Sequence, residues 1–154
     1  MEIVDPNWQL QLEMFIKVSI AVLLGGLIGI EREAINRPAG IRTYAILSGA
    51  ACLLVILTEI IVDFFTIESA RDILRADPVR VVEAVITATA FLGAGTIFRH
   101  GESNVEGLTT AASMLLVGSI GIAVALGQLY LAIMVTVLTL LILRVARIIT
   151  KGQG

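Results

Sequence analysis

The stretch "LTTAASMLLVGSIGIAVALGQLYLAIMVTVLTLLIL", residues 108–143, contains no charged side chain. A single helix of this length would extend roughly 54 Å at about 1.5 Å per residue, whereas the hydrocarbon core of a bilayer is about 30 Å thick. Two shorter helices fit the stretch if the chain turns at Gly127 and Gln128. The stretch therefore predicts two membrane-spanning helices joined by a tight turn.

The rest of the chain has the same apolar character. Hydrophobic residues make up 57% of the 154 residues, charged residues 16%, and the mean hydropathy is +0.95. This composition is too apolar for a soluble domain. The net charge of -2 gives no indication of a nucleic-acid partner, and the single Cys52 excludes an intrachain disulfide. The sequence predicts an all-α integral membrane protein with one domain, residues 1–154, and five spans at about residues 12–30, 44–65, 79–98, 108–126 and 129–149.

The basic residues in the loops predict the orientation of the chain in the membrane. With the N-terminus outside and the C-terminus in the cytoplasm, three basic residues lie outside (Arg71, Arg75, Arg80) and seven inside (Arg32, Arg37, Arg42, Arg99, Arg144, Arg147, Lys151). The loop at residues 66–80 has the periodicity of a short amphipathic helix on the outer surface. Within it, Asp77 is predicted as the N-cap and Pro78 as the first residue of the third helix.

Two stretches of the chain read alike. "LGGLIGIEREAINRPAGIRTYA" begins at Leu24 and "LGAGTIFRHGESNVEGLTTAA" begins at Leu92. The match predicts a duplicated helical hairpin with the same orientation in both copies, followed by a fifth helix; chance similarity between apolar helices is the alternative. Glycines in the two copies are predicted to allow close helix packing: Gly25, Gly29, Gly93 and Gly95.

The charges between the first two spans are placed against the helix dipole. Glu31 and Glu33 lie where the first helix ends, although a helix C-terminus favours cations. One hypothesis is an organised cluster in which Arg37 and Arg42 form ion pairs with these acids and clamp the first two helices together. The alternative is a set of exposed anchors on the cytoplasmic side, and Arg32 is interpreted in that way.

Several motifs resemble the signature segments of the MgtC/SapB family of bacterial membrane proteins. They are "GIEREAINRPAGIRT", "DPVRV", "FLGAGTI" and "NVEGLTTAAS", within residues 15–124. The resemblance implies a five-helix domain in the bacterial inner membrane, a link to magnesium homeostasis and, for the best-known branch, inhibition of the ATP synthase. Since "KGQG" follows the last span, we expect a short form without the soluble C-terminal domain of the virulence-associated members. By motif, the resemblance assigns functional importance to Glu31, Glu33, Arg37, Arg42, Asp77, Asn104, Thr109 and Thr110.

Three classes of function compete on the sequence. A regulator that binds another membrane protein is favoured, with a homodimer also open. A transporter or channel subunit for magnesium or another cation is the alternative, with acids within or near the spans and Asp77 as a candidate metal ligand in its support. These acids lie toward the outer helix ends and none is at mid-depth, which counts against it. No clustered carboxylates suit the octahedral coordination of Mg²⁺, so no cofactor is predicted, although Mg²⁺ remains open. An enzyme is not predicted, because the lone His100 and the serines have no adjacent catalytic partner.

Overall fold

The computed structural model describes residues 8–67, 78–100 and 104–151. In chain order the elements are α1 (Trp8–Glu33), α2 (Ile41–Ile67), α3 (Pro78–Ala94), β1 (Phe98–His100), β2 (Asn104–Glu106), α4 (Leu108–Ala125) and α5 (Leu129–Lys151). Among the described residues, three helical stretches are long and apolar enough to cross a membrane, Trp8–Glu33, Ile41–Val62 and Leu108–Ala125, and α5 contributes a shorter apolar stretch, Leu129–Val145. The helical class is confirmed, while the number of spans stays a prediction.

The turn between α4 and α5 lies where the sequence predicts it. Gly127 has φ 74°, in the left-handed region that glycine adopts without strain. The N–H of Gln128 donates to the carbonyl of Ala123 at 2.8 Å, and the N–H of Gly127 donates to that of Val124 at 3.0 Å. These two bonds form a Schellman motif, which satisfies carbonyls at the end of α4.

The end of α1 uses the same motif with an asparagine. Asn36 has φ 54°, and the N–H of Arg37 donates to the carbonyl of Arg32 at 3.2 Å. Asparagine tolerates this left-handed conformation better than most residues. Pro38 follows and prevents the helix from continuing, so the chain reverses and enters α2 at Ile41.

The third helix is shorter than the predicted span 79–98. It begins at Pro78 as predicted but ends at Ala94, because Gly95 and Thr96 favour a turn. The Thr96 hydroxyl donates to the carbonyl of Gly93 at 2.7 Å. Residues 98–100 instead form β1, which pairs antiparallel with β2. The chain then enters α4 at Gly107, where φ is 94° and a side chain would collide with the carbonyl of Thr96.

The predicted amphipathic helix at residues 66–80 falls largely on a part of the chain outside the described residues. α2 continues through Ile67, beyond the predicted end of the second span at residue 65, and α3 begins at Pro78. Asp77 lies in the intervening segment.

Helix α4 occupies the centre of the bundle. It packs against the other four helices and buries most of its length. Two glycines make the close approach possible: a methyl group at Gly118 would lie 3.1 Å from the Thr89 hydroxyl oxygen of α3, and one at Gly121 would collide with the carbonyl of Ser48 on α2. Large apolar side chains such as Phe91 and Tyr130 are exposed on the outside of the bundle, as expected for a surface that faces lipid.

Candidate functional site

The turn at residues 34–40 and the β1–β2 hairpin lie at the same end of the bundle. The first turn of α2 contacts the first turns of α4, where the Tyr44 hydroxyl lies 2.6 Å from the Ser113 Oγ and donates to the carbonyl of Thr110 at 3.2 Å. Both helices therefore begin at one level. We call this part of the molecule the Glu33 end, after the acid that joins α1 to α2.

Glu33 caps the second helix. Its Oε2 accepts a hydrogen bond from the backbone N–H of Ile41 at 2.9 Å, and a methyl group at Gly40 would lie 2.6 Å from the same oxygen. The carboxylate thus lies at the N-terminus of α2, where the helix dipole and a free N–H favour an anion. This contact explains an acid at the end of α1. The predicted ion pairs of Glu33 with Arg37 and Arg42 are not found among the described residues.

Arg32 is buried, contrary to its interpretation as an exposed anchor. The residue is 3% exposed, and its Nη1 lies 3.9 Å from Oε2 of Glu31, whose side chain is 9% exposed. The reason is helical geometry: Arg32 follows Ala21, Gly25 and Ile28 at spacings of four, three and four, which places it on the buried stripe of α1. Glu31 forms its ion pair with this arginine, and not with Arg37 or Arg42 as predicted.

Six residues at the junction of α1, α2 and α4 form what we call the polar cluster: Glu31, Arg32, Tyr44, Ser48, Thr110 and Ser113. The Tyr44 hydroxyl joins α2 to α4 through its contacts with Ser113 and the carbonyl of Thr110. Both carboxylate oxygens of Glu31, Nε of Arg32 and the Ser48 hydroxyl are buried and have no hydrogen-bond partner among the described residues. Buried polar atoms without a hydrogen-bond partner are uncommon in folded proteins.

The remaining predicted site residues are distributed around this cluster. Arg37, Arg42 and Thr109 are exposed, whereas Thr110 is buried and contributes its carbonyl to the cluster. Asn104 lies in β2, opposite His100. The structure thus brings Glu31 and Thr110 into one buried cluster and leaves the two arginines on the surface.

Three of the four predicted packing glycines lie between helices. A methyl group at Gly25 would lie 2.5 Å from the carbonyl oxygen of Tyr44, and one at Gly29 would lie 2.6 Å from Cα of Ile41. A methyl group at Gly93 would lie 3.3 Å from Cα of Ala111 on α4. Ala111 is the residue that matches Tyr44 in the predicted repeat. Gly95 is different: it follows the end of α3 and faces carbonyls of that helix, so the packing role predicted for it is wrong.

A surface groove of about 410 Å³ lies beside the polar cluster, between the start of α2 and the end of α3. Pro38, Ala39 and Thr43 line one side, and Thr96 and neighbouring residues line the other. The exposed Arg37 and Arg42 adjoin the first of these sides in the sequence. Within the part of the chain that the structure describes, no group of three or more histidine, cysteine or acidic residues is arranged to hold a metal ion.

Tyr44, Ser48 and the buried position of Arg32 were not predicted from the sequence. A usable signal was present, since Tyr44 and Ser48 are one helical turn apart and face Gly25, whose missing side chain leaves room for them. Ser113 gave no comparable signal, because serine side chains in membrane helices commonly bond to their own backbone.

An apolar bundle with a polar cluster at one end defines a helical membrane protein. Comparison with known proteins identifies the family: residues 18–151 match the MgtC family, and the chain belongs to it. Protein MgtC of Salmonella typhimurium strain LT2 is 35% identical over 120 residues, which cover 78% of this chain and 46% of that protein.

Two further relatives fit the same family. Protein SapB of Bacillus subtilis is 31% identical over 121 residues, which cover 79% of this chain and 51% of SapB. The "Putative magnesium transporter YhiD" of Escherichia coli K12 is 33% identical over 133 residues, which cover 86% of this chain and 60% of YhiD. The chain spans about half the length of the curated relatives that it matches. No solved structure matches it.

Proposed function

We propose that this chain is a protein of the bacterial inner membrane that regulates another membrane protein in magnesium homeostasis, and that it binds its partner at the cytoplasmic Glu33 end. The observation that carries the proposal is the pair of exposed arginines, Arg37 and Arg42, which have no ion-pair partner among the described residues and are sequence neighbours of residues that line a groove. Guanidinium groups in this position suit an acidic segment of a partner protein.

The packing of the bundle supports binding in preference to ion passage. At Gly25, Gly29 and Gly121 the helix backbones approach so closely that no methyl group fits between them. Several buried hydroxyls, such as those of Thr89 and Thr136, donate to carbonyls of their own helices. A path for a hydrated cation needs polar groups that line an opening, and these contacts close the centre of the described bundle.

The ATP synthase is the candidate partner that the family resemblance implies. The test is co-purification of the ATP synthase with the tagged chain from the native membrane, quantified for the parent protein and for Arg37→Glu/Arg42→Glu. We expect the charge reversal to reduce recovery at least about tenfold, because two charge-assisted contacts become repulsive. Arg144→Glu is the matched control, since Arg144 is an exposed arginine on α5, predicted to be near the same membrane surface.

Magnesium transport is the second candidate, favoured by the name of the relative, "Putative magnesium transporter YhiD". Sealed liposomes that contain only this purified protein and a magnesium-sensitive dye separate the two functions. We expect no magnesium entry above that of protein-free vesicles. Saturable entry that is lost in Asp77→Ala or Glu83→Ala would replace the regulator proposal with a transporter.

A further inference from the structure

Helix α3 has one packed face and one face that contacts no other helix among the described residues. Its buried residues Val85, Thr89 and Gly93 repeat every four residues and face α4 and its neighbours. Thr89 lies against Gly118 and Gly93 lies against Ala111, both on α4. Because α4 is one of the helices suited to cross the membrane, α3 packs beside it at membrane depth.

The opposite face of α3 has the spacing of a helix–helix seam. Arg80, Ala84, Thr87, Phe91 and Ala94 follow one another at intervals of four, three, four and three residues, and all are exposed. This is the heptad spacing by which two helices pack side by side. Phe91 is 80% exposed, and an open groove of about 910 Å³ follows this face. The small Ala84, Thr87 and Ala94 leave room for a second backbone.

Two charges on this side of α3 lack partners. Arg80 and Glu83 are both exposed, and neither takes part in an ion pair among residues 8–67, 78–100 and 104–151. Glu83 lies five residues into the helix, about 7.5 Å from its start at 1.5 Å per residue. An unpaired carboxylate on a lipid-facing helix is costly, and such residues usually face protein or water.

We propose that two copies of this chain associate through this face of α3, parallel to one another, about a twofold axis along the membrane normal. In such a dimer the two Arg80 side chains lie at the same depth, and Glu83 of each copy, less than one helical turn deeper, can pair with Arg80 of the other copy and offset the repulsion between the two arginines, so the symmetry generates two reciprocal ion pairs. This self-complementarity of charge is the reason for choosing a second copy over an unrelated protein. The inference is independent of the proposed function.

Cysteine crosslinking tests the seam. In a Cys52→Ala background, single cysteines are placed at Ala84 and Thr87 on the seam and at Ile86 as the matched control, which is exposed on the same helix at the same depth but on another face. After mild oxidation in native membranes we expect covalent dimers at positions 84 and 87 and at least fivefold less at 86. Equal crosslinking at all three positions, or none at any, would contradict the dimer, as would crosslinks to a different protein.

Charge exchange tests the ion pairs without depending on crosslinking. Arg80→Glu and Glu83→Arg, each alone, place like charges together in the dimer and should weaken dimerisation in detergent about tenfold or more, because two symmetric contacts are lost. The double variant Arg80→Glu/Glu83→Arg restores the opposite charges and should recover the dimer. If the double variant dimerises no better than the single ones, the proposed pairing is wrong.

Discussion

Arg32→Ala should be the most destabilising change among the charged residues of the Glu33 end. The substitution removes the ion-pair partner of Glu31, whose carboxylate is nine-tenths buried and has no hydrogen bond among the described residues. Breaking a buried pair from one side typically costs about 3–5 kcal/mol, because the remaining charge is uncompensated. The 3.9 Å separation and the residual exposure of Glu31 favour the lower value, about 3 kcal/mol.

The measurement follows from the single cysteine of the chain. Cys52 is fully buried, so a thiol-reactive dye reports its exposure when the purified protein unfolds on heating in detergent. At about 2–4 °C per kcal/mol for a chain of this size, Arg32→Ala should lower the midpoint by about 6–12 °C. Arg42→Ala is the control, because Arg42 is exposed and unpaired within the described part, and it should change the midpoint by less than about 2 °C.

A second substitution distinguishes the lost charge from lost packing. Glu31→Gln/Arg32→Ala removes the uncompensated carboxylate but leaves the same cavity, so it should recover at least half of the loss. Equal midpoints for Arg32→Ala and Arg42→Ala, or a double variant no more stable than Arg32→Ala, would refute the assignment of a buried ion pair.

Three further predictions follow, two of them measured with the same dye assay and the third on intact cells. Gly25→Ala should destabilise the protein by about 1–3 kcal/mol in the dye assay, because the new methyl group meets the carbonyl of Tyr44. Gly26→Ala is the control, because its methyl group has no neighbour nearer than 3.7 Å. It should be neutral or stabilise the protein by up to about 1 kcal/mol. Tyr44→Phe should lower stability by about 0.5–1.5 kcal/mol through loss of its hydroxyl contacts, whereas Tyr130→Phe, at an exposed position, should have no effect. With Cys52 replaced, a cysteine at position 128 should react with an impermeant reagent from outside intact cells and one at position 34 should not; the reverse pattern would invert the predicted orientation.

The sequence predicts the helices well because apolar length and turn chemistry act locally. In the uncharged stretch at 108–143, Gly127 and Gln128 are suited to the reversal, and the structure places the turn there. The end of α3 is less predictable, since Ile97 and Phe98 continue the apolar run beyond Gly95 and Thr96, which favour a turn. The conformation at this point also involves Gly107, which is distant in sequence and lies against the carbonyl of Thr96.

The charged residues were harder to place because ion pairs depend on which side of a helix faces the bundle. One possible buried stripe of α1 runs from Gly29 to Glu33, four residues later. Another runs from Gly25 through Ile28 to Arg32. Only the tertiary packing decides which of the two stripes is buried at this end of the helix. Propensity and charge type alone favour an exposed arginine at the membrane surface. The ion-pair partners predicted within the segment were therefore wrong, and the functional importance of the segment stays a prediction.

The two acids at the end of α1 are stabilised by different interactions. Glu33 crosses the turn to cap α2, so the dipole that disfavours it in its own helix is offset by the dipole of the next. Glu31 has no such compensation and depends on Arg32, a residue that is buried in the seam with α2 and α4. A change at the surface groove that displaced Glu33 from Ile41 would loosen the turn directly above this pair. Glu33→Gln, which keeps the shape and weakens the cap, should therefore reduce stability by about 0.5–1 kcal/mol in the dye assay, and it should lower partner recovery only if the turn carries the binding surface.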